Sequence, residues 1–490
     1  IIGEVVQIGK NVKNHNVGDI VGLGWHSGYC HDCEYCKNDD FNFCVKTKKT
    51  IYSQTGGFAE FVNADSTAVI PIPKGMDLDK IGPLLCGGIT VFTPIMEFDI
   101  KKDHKVGVIG IGAQSKGLIK RISSIPEARV IAGCDVHQKR LASFGKLMSE
   151  QYKEYGIKGE AESHEDYHKI LENKDIDGIV VSTPDHWHAI PSIDAMKAGK
   201  HVYCEKPLSH TINEGRMMEQ AARKYNRVLQ TGSMQRSRDS FRKACELVRN
   251  GYLGKIEKVW VEVGNPSASC NLPYQATPNY LNWERWVGPA PLRSYHKEIV
   301  ESARFPNWRW YREYGGGILS DWGAHMFDIV QWALGMDHSG PIKYEAPIEP
   351  TASRGLKMHY ENGVEVEHRN FGRGFGVRFF GTEGSMDISR KYFEPSQKEL
   401  VTADLKSSDT KLYVSESHER DWITAAKAGQ KPICDVEIGH RTATICHIAN
   451  LAYEFRRPLH WDPVKEEFKD DFEANLRRGK QYRKPYKISI

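Results

Sequence analysis

Three groups of residues in this chain have the types and spacing that chemistry needs. Cys30, Cys33, Cys36 and Cys44 stand in "CHDCEYCKNDDFNFC" at the spacing C-x2-C-x2-C-x7-C. Four thiolates on one short loop can close a tetrahedral shell around one structural zinc ion; four free thiols would not need so regular a spacing. Asp321 and His325, in "LSDWGAHMF", are four residues apart and so share one face of a helix. Alone, such a pair also serves as a helix cap and a core histidine. Lys206 lies between Glu205 and Pro207 in "YCEKPLSH". A lysine beside a proline is commonly a surface turn residue, but it can equally be an acid/base group held stiffly against a substrate. His186 and His188 in "TPDHWH" lack a third ligand that would make them a metal site, which leaves contact with a substrate or capping of a turn.

The elements that must carry these residues follow from the apolar runs. Val106–Ile109 is a buried strand, and Gly110 and Gly112 then precede a helical pattern. This is the start of a nucleotide-binding βαβ unit, in which glycines let the backbone approach a pyrophosphate at a helix N-terminus. Gly110, Gly112, Ala113, Gln114 and Ser115 are therefore cofactor candidates. The third glycine of the fingerprint is displaced, with Ser115 in its place and Gly117 two residues on. A second strand, "ARVIAGCDV", ends in Asp135, whose carboxylate can accept from a ribose diol and repel a 2′-phosphate. NAD is thereby favoured, while Lys139 and Arg140 keep NADP open. Gly178–Ser182 is a strand, Ile190–Ala198 a helix and His201–Cys204 another strand. That alternation predicts an α/β Rossmann domain with a doubly wound parallel sheet, which binds ligands at the carboxyl ends of its strands. Thr183, Pro184 and His186 stand at one such end and Glu205, Lys206 and Pro207 at the next. Further on, "KIEKVWVEV", "GVEVEHRNF", "FGVRFFG" and "SMDIS" are strands of a large, mostly antiparallel sheet in an α+β domain. "EIGHRTATICHIANLAYEF" is a late amphipathic helix. Arg309, Trp310 and Tyr311, in "PNWRWYREY", could stack on a sugar and hold its hydroxyls or carboxylates, or could be core and interface.

Composition bounds the rest. The chain of 490 residues is 40% hydrophobic and 27% charged, with a net charge of +4. Two to four domains with real cores are expected. The basic residues are spread out, which speaks against nucleic acid or an anionic membrane as partner. No apolar run approaches the roughly 20 residues a bilayer span needs. There is no signal peptide. The start at "IIGEVV" without Met raises the expectation that an N-terminal piece was removed or not included. Of the 11 cysteines, seven are scattered in mostly apolar contexts, which suits buried thiols in a reducing, cytoplasmic compartment better than a disulfide framework.

Two family resemblances attach to these motifs. "GEVVQIGKNVKNHNVGDIVG", "GGFAEFV" and "LLCGGITVF" resemble the zinc-dependent medium-chain alcohol dehydrogenases of the cinnamyl type. The resemblance implies a mainly-β GroES-like module over residues 1–105 whose four-cysteine lobe holds a structural zinc. The family's first catalytic-zinc ligands would lie ahead of residue 1, and Cys86 alone matches one of them. One thiolate cannot hold a catalytic zinc, so this module is expected to be truncated and without its own catalytic site. From about Val106 onward, "AGKHVYCEKP" and "TPDHWH" resemble the glucose–fructose oxidoreductase / inositol dehydrogenase (Gfo/Idh/MocA) family. That resemblance implies an NAD(P)-binding domain over 106–235 and a substrate and oligomerisation domain over 236–490. It sets Lys206, Asp321 and His325 as a catalytic group, with His325 or Lys206 as base and Asp321 orienting the sugar diol or the histidine. It places Gln235 and Arg236, in "GSMQRS", at a strand end where the family approaches nicotinamide and substrate.

The activity implied is NAD(P)-dependent oxidation of a secondary hydroxyl on a sugar, cyclitol or glycoside by a homodimer or tetramer. The alternatives are redox-neutral glycoside cleavage through a transient 3-keto intermediate, and a non-catalytic nucleotide-binding chimera. Alcohol-dehydrogenase activity ranks last. The junction of two families fits a natural fusion, an engineered chimera or an assembly artefact.

Overall fold

The computed structural model describes residues 1–52, 59–85, 104–301 and 306–490. Cys86 and parts of "GGFAEFV" and "LLCGGITVF" lie outside the described residues. The chain divides into two units, Ile1–Lys101 and Lys102–Ile490.

In the first unit, strands Ile2–Glu4, Ile20–Leu23 and Val69–Pro71 form an antiparallel sheet. A second pair, His26–Gly28 with Lys48–Lys49, closes the base of the cysteine loop. Leu23, Cys36, Cys44, Ala68 and Ile81 are its buried hydrophobic residues among those described.

The second unit is built on two sheets. The first has six parallel strands in the order Leu229–Thr231, His201–Cys204, Gly178–Val181, His104–Ile109, Ala128–Cys134 and Glu162–His164. Chain direction across the sheet reverses between His104–Ile109 and Gly178–Val181, and such a switch point opens a crevice outside the strand ends. The strands are runs of Val, Ile and Cys because helices cover both faces; Val106, Val108, Ile179, Val180 and Val181 are completely buried.

The second sheet has nine strands, in the order Phe393–Pro395, Ser385–Ile388, Gly376–Gly381, Ile256–Glu262, Glu365–His368, Leu356–His359, Lys343–Glu345, Leu459–Asp462 and Glu467–Phe468. It is antiparallel except where Lys258–Val261 runs parallel to Glu365–His368. Alternation is clean in Glu365–His368: Val366 and His368 face inward and the two glutamates outward. Helices Asp239–Arg249, Gly317–Leu334 and Val436–Phe455 supply the other side of this core. The last of these was expected to be amphipathic. It is buried on nearly every side, because it packs against Gly317–Leu334 and Ile212–Lys224 as well as the sheet.

One late element returns to the nucleotide-binding half. Helix His418–Ala428 places Trp422, Ile423, Ala425 and Ala426 in one cluster with Val106, Val108, Val180 and Tyr203. The core of residues 106–235 is therefore completed by residues beyond 236. Among the described residues, no helix is long and apolar enough to cross a membrane.

Candidate active site

A cavity of about 550 Å³ opens at the carboxyl ends of the parallel strands. Gly110, Gly112, Ala113, Gln114, Asp135, Thr183, Pro184, Glu205, Lys206, Arg309, Asp321 and His325 all line it. Gly110 has φ +89°, and a Cβ there would stand 2.7 Å from the Thr183 nitrogen, so the first turn admits only glycine at that point. Gly112 differs: a Cβ would meet nothing within 4 Å. It caps helix Ala113–Ser123 with no side-chain hydrogen bond, which leaves open space in front of unpaired N–H donors, the cradle a pyrophosphate needs. Asp135 is buried; its carboxylate accepts from the Ile111 N–H at 2.8 Å and the His137 N–H at 2.9 Å. Arg140 approaches it at 3.8 Å. These residues fit a dinucleotide, with the acid placed for a ribose diol. Glu205 accepts from Gln114 Nε2 at 2.9 Å. Burial raises its carboxyl above the usual range, against the opposing charge of Lys206.

Lys206 and Asp321 meet across the cavity. The Lys206 Nζ donates to the Asp321 Oδ1 at 2.8 Å and to the Asp321 carbonyl at 2.9 Å. An ammonium has three donors, so one remains for a ligand. Arg309 Nε donates to the same Oδ1 at 3.1 Å. Burial by itself would raise the Asp321 carboxyl, but the charges of Lys206 and Arg309 outweigh it and hold the acid below its ordinary value. Helical spacing places His325 one turn on, as expected for i and i+4. Burial first, and the Lys206 charge second, hold its imidazole well below the usual range, so it is neutral. Its Nδ1 is buried without a partner, as are Asp321 Oδ2 and Thr183 Oγ1. Polar atoms left unpaired in one cavity mark where a ligand's groups belong.

Asp185, between Pro184 and His186 in "TPDHWH", also lines this cavity, although no spacing in the sequence marks it as a site residue. Burial, and then the charge of Asp321, push its carboxyl up to about 8. One acid is thus ionised and its neighbour protonated, the arrangement by which two carboxyl groups take different roles. Trp308, Trp322 and Arg390 complete the wall. Trp322 adjoins Asp321 in sequence, whereas Arg390 comes from the turn between strands Ser385–Ile388 and Phe393–Pro395 and no local motif announces it.

Several expected site residues are placed elsewhere. His186 is fully buried, its ring nitrogens 3.1 Å from the Trp286 carbonyl and 3.4 Å from that of Tyr314. His188 is equally buried and joins two loops, its Nδ1 2.8 Å from the Pro207 carbonyl and its Nε2 2.9 Å from that of Thr183. It positions the strand ends that carry Thr183 and Lys206 rather than touching a substrate. Arg236 lies in the core, paired with Asp328 and Asp337; this tethers helix Gly317–Leu334. Gln235 is sealed behind that helix, 3.7 Å from the Met326 sulfur. Ser115 turns back to donate to the Gly112 carbonyl at 2.9 Å. Trp310 is half exposed, Tyr311 partly buried, and neither lines the cavity. Asp321 pairs with Lys206 and Arg309.

In the first unit, the Sγ atoms of Cys30, Cys33, Cys36 and Cys44 lie within 4.8 Å of one another. Cys30 and Cys36 are 3.8 Å apart, and Cys30 and Cys44 are 3.5 Å apart. Thiolates around tetrahedral zinc, with Zn–S of about 2.3 Å, stand roughly 3.8 Å apart. Backbone N–H groups of Asp32 and Cys33 lower the Cys30 thiol, while burial raises that of Cys36. The donor set fits a closed structural zinc site. Among the described residues it is the only cluster of three or more such ligands.

Comparison with known proteins divides the chain in the same way. Residues 104–233 match the family described as "Oxidoreductase family, NAD-binding Rossmann fold", and residues 259–488 match its "C-terminal alpha/beta domain". Residues 1–74 match "Alcohol dehydrogenase GroES-like domain". The aldehyde reductase AdhA of Synechocystis sp. is 48% identical over 112 residues, which is 23% of this chain and 33% of that protein. A probable cinnamyl alcohol dehydrogenase 1 of Nicotiana tabacum is 38% identical over 120 residues, 23% of this chain and 34% of that one. The chain thus spans about a third of the length of the curated relatives it matches. Among solved structures, the WlbA dehydrogenase of Bordetella pertussis, in complex with NADH and UDP-GlcNAcA, aligns with TM-score 0.54 and 16% identity over 74% of this chain and 98% of that one. The aldose-aldose oxidoreductase of Caulobacter crescentus, complexed with glycerol, aligns with TM-score 0.52 and 19% identity over 73% and 99%. At these identities the likeness is one of fold.

Proposed function

Because residues 104–488 belong to the Gfo/Idh/MocA oxidoreductase family, we propose that the chain is an NAD-dependent oxidoreductase that acts on a secondary hydroxyl of a sugar, cyclitol or glycoside. The observation that carries this reading is the Lys206–Asp321 contact beside a neutral His325 in the crevice of the parallel sheet. A bound nicotinamide dinucleotide would supply the acceptor for the hydride leaving the carbinol carbon. The unused N–H of Lys206 donates to the substrate oxygen and favours its deprotonation. His325, neutral and with its Nδ1 unpaired in the cavity, takes the hydroxyl proton. The O–H and C–H bonds break, and a carbonyl forms. Asp321 fixes Lys206 in position, and Arg309 keeps that acid ionised. Asp185, protonated at neutral pH, adds a donor without adding a second negative charge. The buried Asp135 supports NAD over NADP.

The test is one reaction mixture of protein, NAD, sugars and aryl glycosides in which NADH absorbance and released aglycone are followed together. NADH rising with substrate is the expected result, reduced at least a thousandfold in Lys206→Ala. Aglycone release without NADH would assign redox-neutral glycoside cleavage instead. Silence in both channels, with nucleotide still bound, would fit a scaffold that does not turn over.

A further inference from the structure

The cationic groups of the cavity fall into two sets. Lys206 and Arg309 share Asp321 at 2.8 and 3.1 Å, Arg121 has Glu419 at 2.6 Å, Arg140 has Asp135 at 3.8 Å and Arg285 has Asp166 at 3.7 Å. Arg390 has no carboxylate within ion-pair distance among the described residues, although it lines the same cavity. Its guanidinium instead lies over the Trp322 ring, 4.6 Å from the centroid. Trp322 also lines the cavity, with its ring 5.7 Å from that of His325. Arg238, exposed and outside the cavity lining, also has no acid partner among the described residues. Arg390 is an exposed side chain at the cavity wall; partial loss of water and the Arg238 charge lower its pKa, and the Asp321 and Glu205 carboxylates oppose them.

The planar fork of arginine matches a carboxylate or phosphate bidentately. We propose that Arg390, held on the Trp322 ring at the cavity wall, is a subsite for an anionic group carried on the sugar, so that the substrate is a uronic acid, its glycoside or a sugar phosphate rather than a neutral sugar. This rests on reading the cavity as a sugar site. The placement beside Trp322 puts the anion one ring away from the His325 base.

Binding of methyl β-D-glucuronide, glucose 6-phosphate and methyl β-D-glucoside to the full chain, measured by calorimetry with NAD present, tests it; NADH formation is recorded in parallel. The glucuronide and the glucoside differ only at C6. The expected result is at least tenfold tighter binding of one anionic sugar than of the glucoside, and whichever is preferred identifies carboxylate or phosphate. Arg390→Gln should bring that ratio close to one, and Arg390→Lys should retain part of it; thermal unfolding checks that both variants fold. Equal binding of all three sugars, or no binding of any, overturns the proposal. So does Arg390→Gln if it weakens NAD binding and leaves the sugar preference intact, for the arginine would then serve the cofactor's phosphates. NADH from the glucoside with no preference for the anions would sink the subsite and leave the oxidoreductase reading standing. Preferential binding of an anionic sugar with no NADH would do the reverse.

Discussion

Val6, Val17, Phe43, Val45, Ile51, Tyr52 and Phe61 are exposed in residues 1–101, where few apolar side chains are buried among those described. In residues 102–490, by contrast, strands such as Gly178–Val181 are buried along their whole length, and three large apolar clusters pack both sheets. Buried charges there are paired at several places, as in Arg236 with its two aspartates and Arg216 with Glu437 and Glu466. A unit with so little burial leans on cross-linking of its chain, here through four thiols. A unit with a full core is limited instead by how well its buried charges and imidazoles are matched.

The largest effect should come from the metal. Structural zinc contributes on the order of 10 kcal/mol to small folds that depend on it. A strong chelator, or Cys36→Ser, should therefore abolish the calorimetric transition of residues 1–101 and leave that of residues 102–490 in place. If both transitions moved together, the contrast between the units would fail. The next effect belongs to the second unit. Asp328→Ala leaves Arg236 in the core with half its partners, and breaking a buried pair of this kind costs about 3–5 kcal/mol. Chemical denaturation should show that loss in the second transition only.

A smaller effect depends on pH. Burial lowers His188 to about 4, against a value near 6.5 in the unfolded chain. Between these values the unfolded chain binds the proton and the folded one does not. Stability from this group is therefore complete above about 6.5, falls as the pH drops, and is gone below about 4, a change on the order of 3 kcal/mol. His188→Gln should flatten that part of the acid limb of the second transition; an unchanged slope would show that other groups set it.

Much of the nucleotide-binding half was legible in the sequence, because its strands are uninterrupted apolar runs and its turns are marked by Gly110, Gly112 and Pro207. Helical spacing also placed Asp321 and His325 on one face. What failed to show was partnership over long separations. Nothing in "TPDHWH" reveals that the two histidines spend their nitrogens on backbone carbonyls while the aspartate between Pro184 and His186 faces the cavity. A 3₁₀ turn over Asp185–Trp187 sets those directions, and its presence depends on tertiary packing. Arg236 read as a ligand because it follows a strand end, yet Asp328 and Asp337, about a hundred residues away, draw it into the core. Arg390 was invisible for the converse reason: a basic residue in a surface-like run gains its meaning only from the wall it completes.

The return of Trp422 to the nucleotide-binding core has a consequence for how the protein is made. All six strands of the parallel sheet will have left the ribosome before the helix that seals one of its faces has been synthesised. At about 5–20 residues per second, Val180 and Tyr203 wait on the order of ten seconds or more for the ring that covers them. During synthesis the nascent sheet carries an open apolar face, a natural place for a chaperone to bind, and a chain stopped near residue 235 would never close it.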